Sequence, residues 1–364
     1  MKISQRLVGL DLLRAILMLI GPIYHISYLF ETNSNLINTN NNFIYDLFSI
    51  THPFRMEVFF LLSGFFASFL IEQKGITFFK KNRVQKIYIP LLFSILIILP
   101  ITIKLYYINQ NSYQINSQHI WFLISLALVF IPYSFFYKLI KKVVLYTTSF
   151  SLLKILIISL FYASLTYALS KVSYELSKIS SPEIHEIVYT FLINPINSFL
   201  PTFLGSVLYY KSYNINKKFN LPIIIAFLII HSIFSSPVLE TLKNIYKIPL
   251  RGIYFITTFY LILIIYNYFK NLKINNSERL KFFVNASFTI YLIHQPLVYF
   301  NGLFMNKLIS NDYTEFMFIN ILTYSQCFIL YYIISNLKIG RYLFGIKTAE
   351  NISFLKSSKY FTFK

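Results

Sequence analysis

The sequence lacks several features that mark common classes of protein. A single cysteine, Cys327, occurs in 364 residues, which excludes an intrachain disulfide and a cysteine-based metal site. No glycine-rich phosphate loop, serine nucleophile elbow or HExxH sequence is present. No polar stretch is long enough to form a soluble domain or a linker between two domains, and no internal repeat is evident. We therefore expect one domain over 1–364.

Acidic residues are also scarce, because 13 Asp and Glu stand against 33 Lys and Arg, giving a formal net charge of +20. Binding to nucleic acid would be one explanation, but the positions of the cations argue against it. Most of them fall on one side of a membrane if the N-terminus is cytoplasmic. The positive-inside rule then predicts that both termini are cytoplasmic. The basic charge thus reflects topology, and no nucleic-acid partner is expected.

Apolar residues dominate what is present. Hydrophobic residues make up 56% of the chain and aromatic residues 19%, whereas soluble domains are about 45–50% apolar. Runs near the roughly 20 residues that cross a bilayer recur from end to end. The sequence therefore predicts an all-α, polytopic transmembrane helical bundle of about ten spans. The predicted spans are 7–30, 53–71, 87–107, 120–137, 152–170, 187–210, 221–235, 250–269, 282–305 and 316–337.

The first apolar run is too long for a cleaved signal peptide and carries charged residues, so we expect it to remain as a helix. Asp11, Arg14, Met18, Gly21 and His25 are spaced 3, 4, 3 and 4 residues apart, which places them on one helix face. The eleven residues from Arg14 to His25 cover roughly 16 Å along the axis. Ionisable groups inside a span are functional candidates. A buried Asp11–Arg14 ion pair beside a packing histidine would be the structural alternative.

The second predicted span opens with polar residues and continues into a close-packing point. His52 and Arg55 share a face at about the depth of His25, whereas Glu57 lies off that face. Ser63 and Gly64 are typical of tight contacts between membrane helices and are given no chemical role.

Further polar residues occur in the middle and late spans. His294 lies mid-membrane with Tyr291 one turn before it. His119 and Trp121 lie at an outer helix end, where an aromatic belt would explain the indole without a function. The histidines show neither i,i+4 ligand spacing nor a nearby carboxylate pair, so no metal site is expected.

Several polar segments are predicted as loops. The segments 31–42, 109–118 and 177–186 are expected on the outer side. The segment 72–86 is expected as an inner loop that mixes cations with Phe78 and Phe79. It would form either an interfacial anchor at anionic headgroups or a collar for a phosphate-bearing ligand.

Four stretches resemble the acyltransferase-3 superfamily of integral-membrane acyltransferases: RAILMLIGPIYHIS, HPFRMEVFFLLSGFF, SQHIWFL and FVNASFTIYLIHQPL. They occur in the family's order over most of the chain, and 140–280 is similar mainly in hydropathy. The resemblance implies an O-acyltransferase of the inner (plasma) membrane. Such an enzyme takes an acyl group from cytoplasmic acyl-coenzyme A and esterifies a hydroxyl of a periplasmic glycan.

The resemblance leaves the acyl group and the acceptor open. It extends to members that succinylate osmoregulated periplasmic glucan, but O-acetyltransferases of lipopolysaccharide O-antigen and other surface polysaccharides share the same motifs. Glu57 stands where the glucan enzymes have an uncharged residue. The donor substrate would be succinyl-CoA or acetyl-CoA, and no permanently bound cofactor is expected.

The resemblance also implies roles for the polar residues. His25 would be the general base that deprotonates the acceptor hydroxyl. Arg14 would hold the coenzyme or steady the developing oxyanion, and Asp11 would orient Arg14. A second set would contact the substrates, with Arg55 and His52 facing the acceptor or a succinyl carboxylate. This set is His52, Arg55, Glu57, Trp121, Tyr291 and His294.

Two other classes of function remain as alternatives. A transporter or flippase for polysaccharides or lipid-linked sugars would also use charges inside the membrane. The Arg14/His25 pattern does not recur in the second half, however, as an inverted-repeat transporter would predict. A non-catalytic scaffold in envelope assembly would not need both side chains on one face.

Overall fold

The computed structural model describes residues 7–31, 41–108, 117–146, 152–211, 220–234, 244–275 and 277–346. All regular elements in these ranges are helical, as predicted. The α-helices are α1 (Val8–Glu31), α2 (Asn42–Ser49), α3 (His52–Arg83), α4 (Ile89–Phe93), α5 (Leu99–Tyr106), α6 (Trp121–Tyr146), α7 (Leu152–Ile179), α8 (Pro182–Val188), α9 (Asn194–Tyr210), α10 (Asn220–Phe234), α11 (Asn244–Asn271), α12 (Glu278–Met305), α13 (Asp312–Asn336) and α14 (Lys338–Leu343). Short π-helical turns at Val84–Tyr88, Ser94–Ile98 and Tyr189–Ile193 and a 3₁₀ turn at Gln118–Ile120 join consecutive helices.

Six helical segments of the described chain are long and apolar enough to cross a membrane. They overlap seven of the ten predicted spans, because the 64-residue segment Phe43–Tyr106 includes 53–71 and all but the last residue of 87–107. Helices α7, α10 and α12 lie in the other three predicted spans and are not among these six segments. The chain is a multi-pass membrane protein, while the count of ten and the cytoplasmic termini stay predictions. The six segments are Val8–Phe30, Phe43–Tyr106, Gln118–Tyr146, Pro182–Tyr210, Gly252–Asn271 and Asp312–Asn336.

Helix α1 is surrounded by other helices of the bundle. It packs mainly against α12, makes further contacts with α3, α11 and α13, and is covered at one end by α2. Leu10, Leu13 and Leu17 join a large apolar core with α3 and α12, whereas Ile26 and Phe30 join a smaller one near α2. The polar face of α1 is therefore enclosed by protein rather than directed at lipid.

Helices α3 and α9 approach closely at glycines. A Cβ atom on Gly64 would collide with the Thr202 carbonyl, and one on Gly205 would collide with the Leu61 carbonyl. Small residues allow backbones in membranes to make such contacts. Gly64 is thus part of a close-packing point, as the sequence predicted.

Helices α3, α6 and α9 also share a group of hydrogen-bonded side chains, which we call the Glu72 network. Tyr137 and Tyr210 donate hydroxyl hydrogen bonds to Glu72 Oε1 over 2.9 and 2.7 Å, and Lys141 lies 2.9 Å from the same oxygen. Nearby, Ser68 donates to Ser206 over 2.8 Å. The network joins three helices through polar contacts that are all satisfied. Its members are Ser68, Glu72, Tyr133, Tyr137, Lys141, Ser206 and Tyr210.

Two of the loop predictions are wrong. The segment 72–86 is helical, with a kink at Gly75, whose φ of 80° favours glycine. Within it Phe79 is buried, whereas Phe78 is exposed. The segment 177–186 is helical too, apart from a short turn between α7 and α8. Most of the predicted outer loops 31–42 and 109–118 lies outside the described residues.

Candidate active site

Three histidines from different parts of the chain meet beside α1. The His25 ring centroid on α1 lies 5.2 Å from that of His294 on α12. The His119 ring, in the 3₁₀ turn before α6, lies 5.0 Å from that of His294. His294 is 0% exposed and His119 is buried, whereas His25 is only half-buried. We call His25, His119 and His294 the histidine cluster.

The carbonyl groups around the cluster fix the protons of two imidazoles. His294 Nδ1 lies 2.7 Å from the Tyr291 carbonyl oxygen, and His119 Nε2 lies 3.0 Å from that of Leu292. A carbonyl only accepts, so each of these ring nitrogens carries the proton. The other nitrogens, His294 Nε2 and His119 Nδ1, then carry lone pairs, and both are buried without a hydrogen-bond partner among the described residues.

A proline in α12 explains how His119 finds its partner. Pro296 has no backbone N–H, so the Leu292 carbonyl four residues earlier loses its helical donor. His119 supplies the missing hydrogen bond from another part of the chain. Tyr291 strengthens the same junction, because its hydroxyl donates to the His119 carbonyl. The sequence HQPL thus positions His119 as well as His294.

Arg55 projects from α3 onto the same turn of α1. Its guanidinium lies 5.0 Å from the Tyr24 ring centroid. The ring of His52 stacks on the Tyr24 ring, with the two centroids 4.7 Å apart. Arg55 is 5% exposed, and its Nη1 is buried without a hydrogen-bond partner. His52 and Arg55 are therefore both beside the turn that precedes His25.

Arg14 and Asp11 lie at the opposite end of the α1 face. Arg14 Nη2 is 3.6 Å from Asp11 Oδ1, so the ion pair of the structural alternative is present, but its arginine is not buried. The Arg14 side chain is 37% exposed and also lies over the Phe66 ring. Arg83 lies close enough to interact with it electrostatically. This end is called the Arg14 end below, and the other the His25 end.

The two ends are separated by buried side chains. Met18 lies between them, is 6% exposed, and accepts a contact from Ser287 Oγ at 3.6 Å. Gly21 is buried as well, beneath the Arg55 guanidinium. The face that carries Arg14 and His25 is thus closed in its middle.

A cavity of about 770 Å³ adjoins the His25 end. His52, Glu57 and Trp121 line it, as does Tyr28, one turn beyond His25, whereas His25, Arg55, Tyr291 and His294 do not. Glu57 Oε2 is buried without a partner. The wall therefore mixes aromatic rings with carboxylate and amide groups. The lining residues are Tyr28, His52, Met56, Glu57, Phe60, Tyr106, Ser117, Gln118, Trp121, Tyr162, Tyr167, Glu186, Tyr189, Asn194, Asn197, Ser198, Pro201, Tyr254, Phe255 and Tyr299.

A second hollow, of about 570 Å³, has a different character. It lies between α6, α7 and α9, and residues such as Pro132, Phe161 and Phe199 make its lining almost wholly apolar. Such a surface suits hydrocarbon and offers no group for chemistry. Within the described ranges, no three His, Cys, Asp or Glu side chains are placed to hold a metal ion.

Neither His119 nor Arg83 was assigned a role in the site from the sequence. His119 is in the stretch SQHIWFL, but its position at a helix end gave no sign of a contact with His294. Arg83 was placed in a loop, whereas it packs over the rings of Phe79 and Phe130 at 4.8 and 4.6 Å. Its Nε is buried without a hydrogen-bond partner.

Comparison with known proteins identifies relatives over nearly the whole chain. A family model described as an acyltransferase domain, of the acyltransferase-3 type, matches residues 7–337. Glucans biosynthesis protein C of Escherichia coli K12 is 26% identical over 379 residues, covering 94% of this chain and 95% of that protein. The protein of the same name from Shigella dysenteriae serotype 1 is also 26% identical over the same shares of both chains. No solved structure matches the chain.

Proposed function

The chain belongs to the acyltransferase-3 family of membrane acyltransferases, and on that premise we propose that it transfers a succinyl or acetyl group from acyl-coenzyme A to a hydroxyl of a periplasmic glycan. One observation supports this most directly. The ring of His25, a half-buried imidazole, lies 5.2 Å from that of His294, whose Nε2 has no hydrogen-bond partner among the described residues, and Tyr28, one turn further along α1, lines a cavity with aromatic and polar walls. That is the setting of a general base beside an acceptor site.

His25 is proposed to remove the proton from the acceptor hydroxyl as the oxygen attacks the thioester. A base works best when a second group fixes its tautomer and orientation. His294 has Nε2 without a hydrogen-bond partner among the described residues, its ring centroid lies 5.2 Å from that of His25, and its own Nδ1 is held by the Tyr291 carbonyl. His294 would therefore hold the His25 N–H and stabilise the imidazolium that forms.

The Arg14 end is proposed to bind the coenzyme. A guanidinium is always charged and presents forked donors that match phosphate oxygens. Asp11 limits the orientation of Arg14 through their ion pair. Arg83, with a buried Nε that has no hydrogen-bond partner, would add a second cation beside it.

The acyl group of the donor, acyl-coenzyme A, would have to travel along α1 from the Arg14 end to reach His25. An extended pantetheine arm is of the right order to cover the roughly 16 Å of helix between Arg14 and His25. Met18 closes that path, and its flexible thioether side chain can change rotamer at small cost. We infer that the donor thioester passes Met18 when the coenzyme binds.

The cavity at the His25 end is proposed to hold the glycan. Rings such as Trp121 and Tyr28 offer flat apolar surfaces for sugar rings, and Glu57 and Asn197 have oxygens without partners that can accept from sugar hydroxyls. A glucan acceptor fits the name of the similar proteins, glucans biosynthesis protein C. We place the protein in the inner membrane, with the cavity on the periplasmic side.

Purified protein in nanodiscs, supplied with succinyl-CoA or acetyl-CoA, tests this function. We expect thiol release that requires an oligosaccharide acceptor, and mass spectrometry should detect the acylated glycan. Spectra of periplasmic glucan and lipopolysaccharide from a deletion strain would identify the acceptor, since the true one loses its ester. Movement of glycan across vesicles without thiol release would instead support a transporter.

A further inference from the structure

Arg55 is a buried cation without a counterion. No carboxylate in the described part of the chain forms an ion pair with it, although Glu57 is an electrostatic neighbour. Its Nη1 is buried and has no hydrogen-bond partner. A charge buried without a partner is strongly unfavourable. The fold therefore leaves a place where an anion would be bound strongly.

The position of the Arg55 guanidinium relative to His25 follows from its contacts with α1. Arg55 Nη1 lies 3.9 Å from the point where a Cβ atom on Gly21 would stand, and the guanidinium lies over Tyr24. Gly21 is four residues before His25 on the same helix face, which is roughly 6 Å along the axis. Arg55 thus lies on the side of His25 that faces the Arg14 end. A thioester arriving from that end would meet Arg55 and His25 together.

We propose that Arg55 is a catalytic residue of this acyl transfer and binds the oxyanion of the tetrahedral intermediate; this inference rests on the proposed function. His25 takes the proton of the acceptor hydroxyl while that oxygen bonds to the thioester carbon, and the carbonyl π electrons move onto the carbonyl oxygen. This oxyanion accepts a hydrogen bond from Arg55 Nη1. The carbon–sulfur bond then breaks, the carbonyl re-forms, and the coenzyme thiolate takes the proton from His25.

Arg55 suits this role better than Arg14 does. Arg14 is engaged with Asp11 and lies roughly 16 Å from His25 along the helix. A preorganised donor in a water-poor site is worth most where charge develops, and loss of one such donor typically lowers kcat by about 10²–10³-fold. The unpartnered Nη1 of Arg55 is preorganised in that sense, because its stacking on Tyr24 holds it in place.

The first experiment compares kcat of wild type, Arg55→Met and Arg55→Lys with acetyl-CoA and succinyl-CoA. We expect Arg55→Met to lose about 10²–10³-fold in kcat with both donors, with nearly unchanged donor KM. Arg55→Lys should lose less, because it keeps a charge without the fork. The matched control is Arg341→Met, since Arg341 donates to the Ser335 carbonyl near the chain end and should leave kcat near wild type.

The second experiment measures binding without turnover. Carboxymethyl-CoA carries a carboxylate near the thioester position, whereas ethyl-CoA is neutral there, and neither can transfer an acyl group. Wild type should bind carboxymethyl-CoA about tenfold or more tightly than ethyl-CoA, as a charge-assisted hydrogen bond predicts. Arg55→Met should bind the two alike. Titration calorimetry on nanodisc samples gives both Kd values.

The outcomes separate this inference from the function on which it rests. Acyl transfer by wild type with equal binding of the two thioethers would overturn the role of Arg55 and leave the function standing. A loss of kcat in Arg55→Met with succinyl-CoA alone would also overturn it, because the arginine would then bind the succinyl carboxylate. Failure of wild type to bind any coenzyme or transfer any acyl group would remove both.

Discussion

The Glu72 network and the histidine cluster both place polar side chains between packed helices, but they differ in how completely those groups are paired. Each member of the Glu72 network has a hydrogen-bond partner. Glu72 itself accepts hydrogen bonds from Tyr137, Tyr210 and Lys141. In and beside the histidine cluster, His294 Nε2, His119 Nδ1 and Arg55 Nη1 have none within the described residues. Leaving a buried polar atom unpaired costs about 1–3 kcal/mol. The comparison shows that the network joins helices through paired groups, whereas the cluster has unpaired buried atoms, which supports its proposed role in binding substrate.

The largest expected effect comes from removing the base. His25→Ala should lower acyl transfer by about 10²–10⁴-fold, because a positioned general base supplies that much. The protein should still insert and bind coenzyme A. Initial rates and coenzyme binding on the same purified sample measure this. The matched control is His185→Ala, because His185 is not in the histidine cluster. Its Nε2 lies 2.8 Å from Ser173 Oγ. Substantial activity in His25→Ala, or loss only through misfolding, would contradict the mechanism.

A smaller effect is expected at the Arg14 end. Arg14→Lys should weaken both coenzyme affinity and turnover by about tenfold, because a point ammonium cannot reproduce the guanidinium fork. Arg14→Ala should be worse in both. Lys281→Ala, which breaks an exposed ion pair with Glu278, is the control and should change neither. Coenzyme affinity and acyl transfer that both stay near wild type in Arg14→Lys would rule out the proposed role.

The Glu72 network should respond in stability rather than in catalysis. Glu72→Ala removes the acceptor of two tyrosines and one lysine, and we expect it to lower the free energy of unfolding by about 1–3 kcal/mol. The kcat of the folded fraction should change less than twofold. Thermal unfolding in detergent and kcat are compared with Tyr137→Phe, which removes one hydroxyl. A tenfold fall in kcat at unchanged stability would erase the distinction between the two regions.

The smallest effect on activity is expected from variants that report which side of the membrane each region faces. Single cysteines introduced at positions 36 and 114, in a Cys327→Ser background, should react with an impermeant reagent from outside the cell. Activity should stay near wild type. Labelling of either position only from the cytoplasm would invert the predicted topology, and the acceptor cavity would then face the wrong compartment.

Local patterns were sufficient to predict part of the site. The Asp11–Arg14 ion pair and the shared face of α1 follow from helical periodicity, which depends on neighbouring residues alone. The placement of Arg55 beside the His25 turn followed from matching depths across two antiparallel spans. Such predictions succeed because the bilayer fixes where each helix begins and ends.

The contacts between distant segments could not be predicted in this way. His119 meets His294 only because Pro296 frees the Leu292 carbonyl, and nothing within the SQHIWFL stretch indicates that partner. The segment 72–86 looked like a loop because its charges interrupt the hydropathy pattern. Its aromatic side chains instead let a helix continue past Gly75, with Phe79 in the core and Arg83 stacked on it.

The buried Met18 between the two ends also bears on energy conversion by the membrane. The inner membrane that we propose for this protein stores a proton-motive force, and a continuous water-filled route past Arg14 to His25 would dissipate it. In the structure the side chain of Met18 is buried between Arg14 and His25 and separates them with an apolar group. We expect Met18 to move only when the pantetheine arm of the coenzyme binds, and the arm itself then fills the space. Group transfer across the bilayer would then proceed without dissipating the ion gradient.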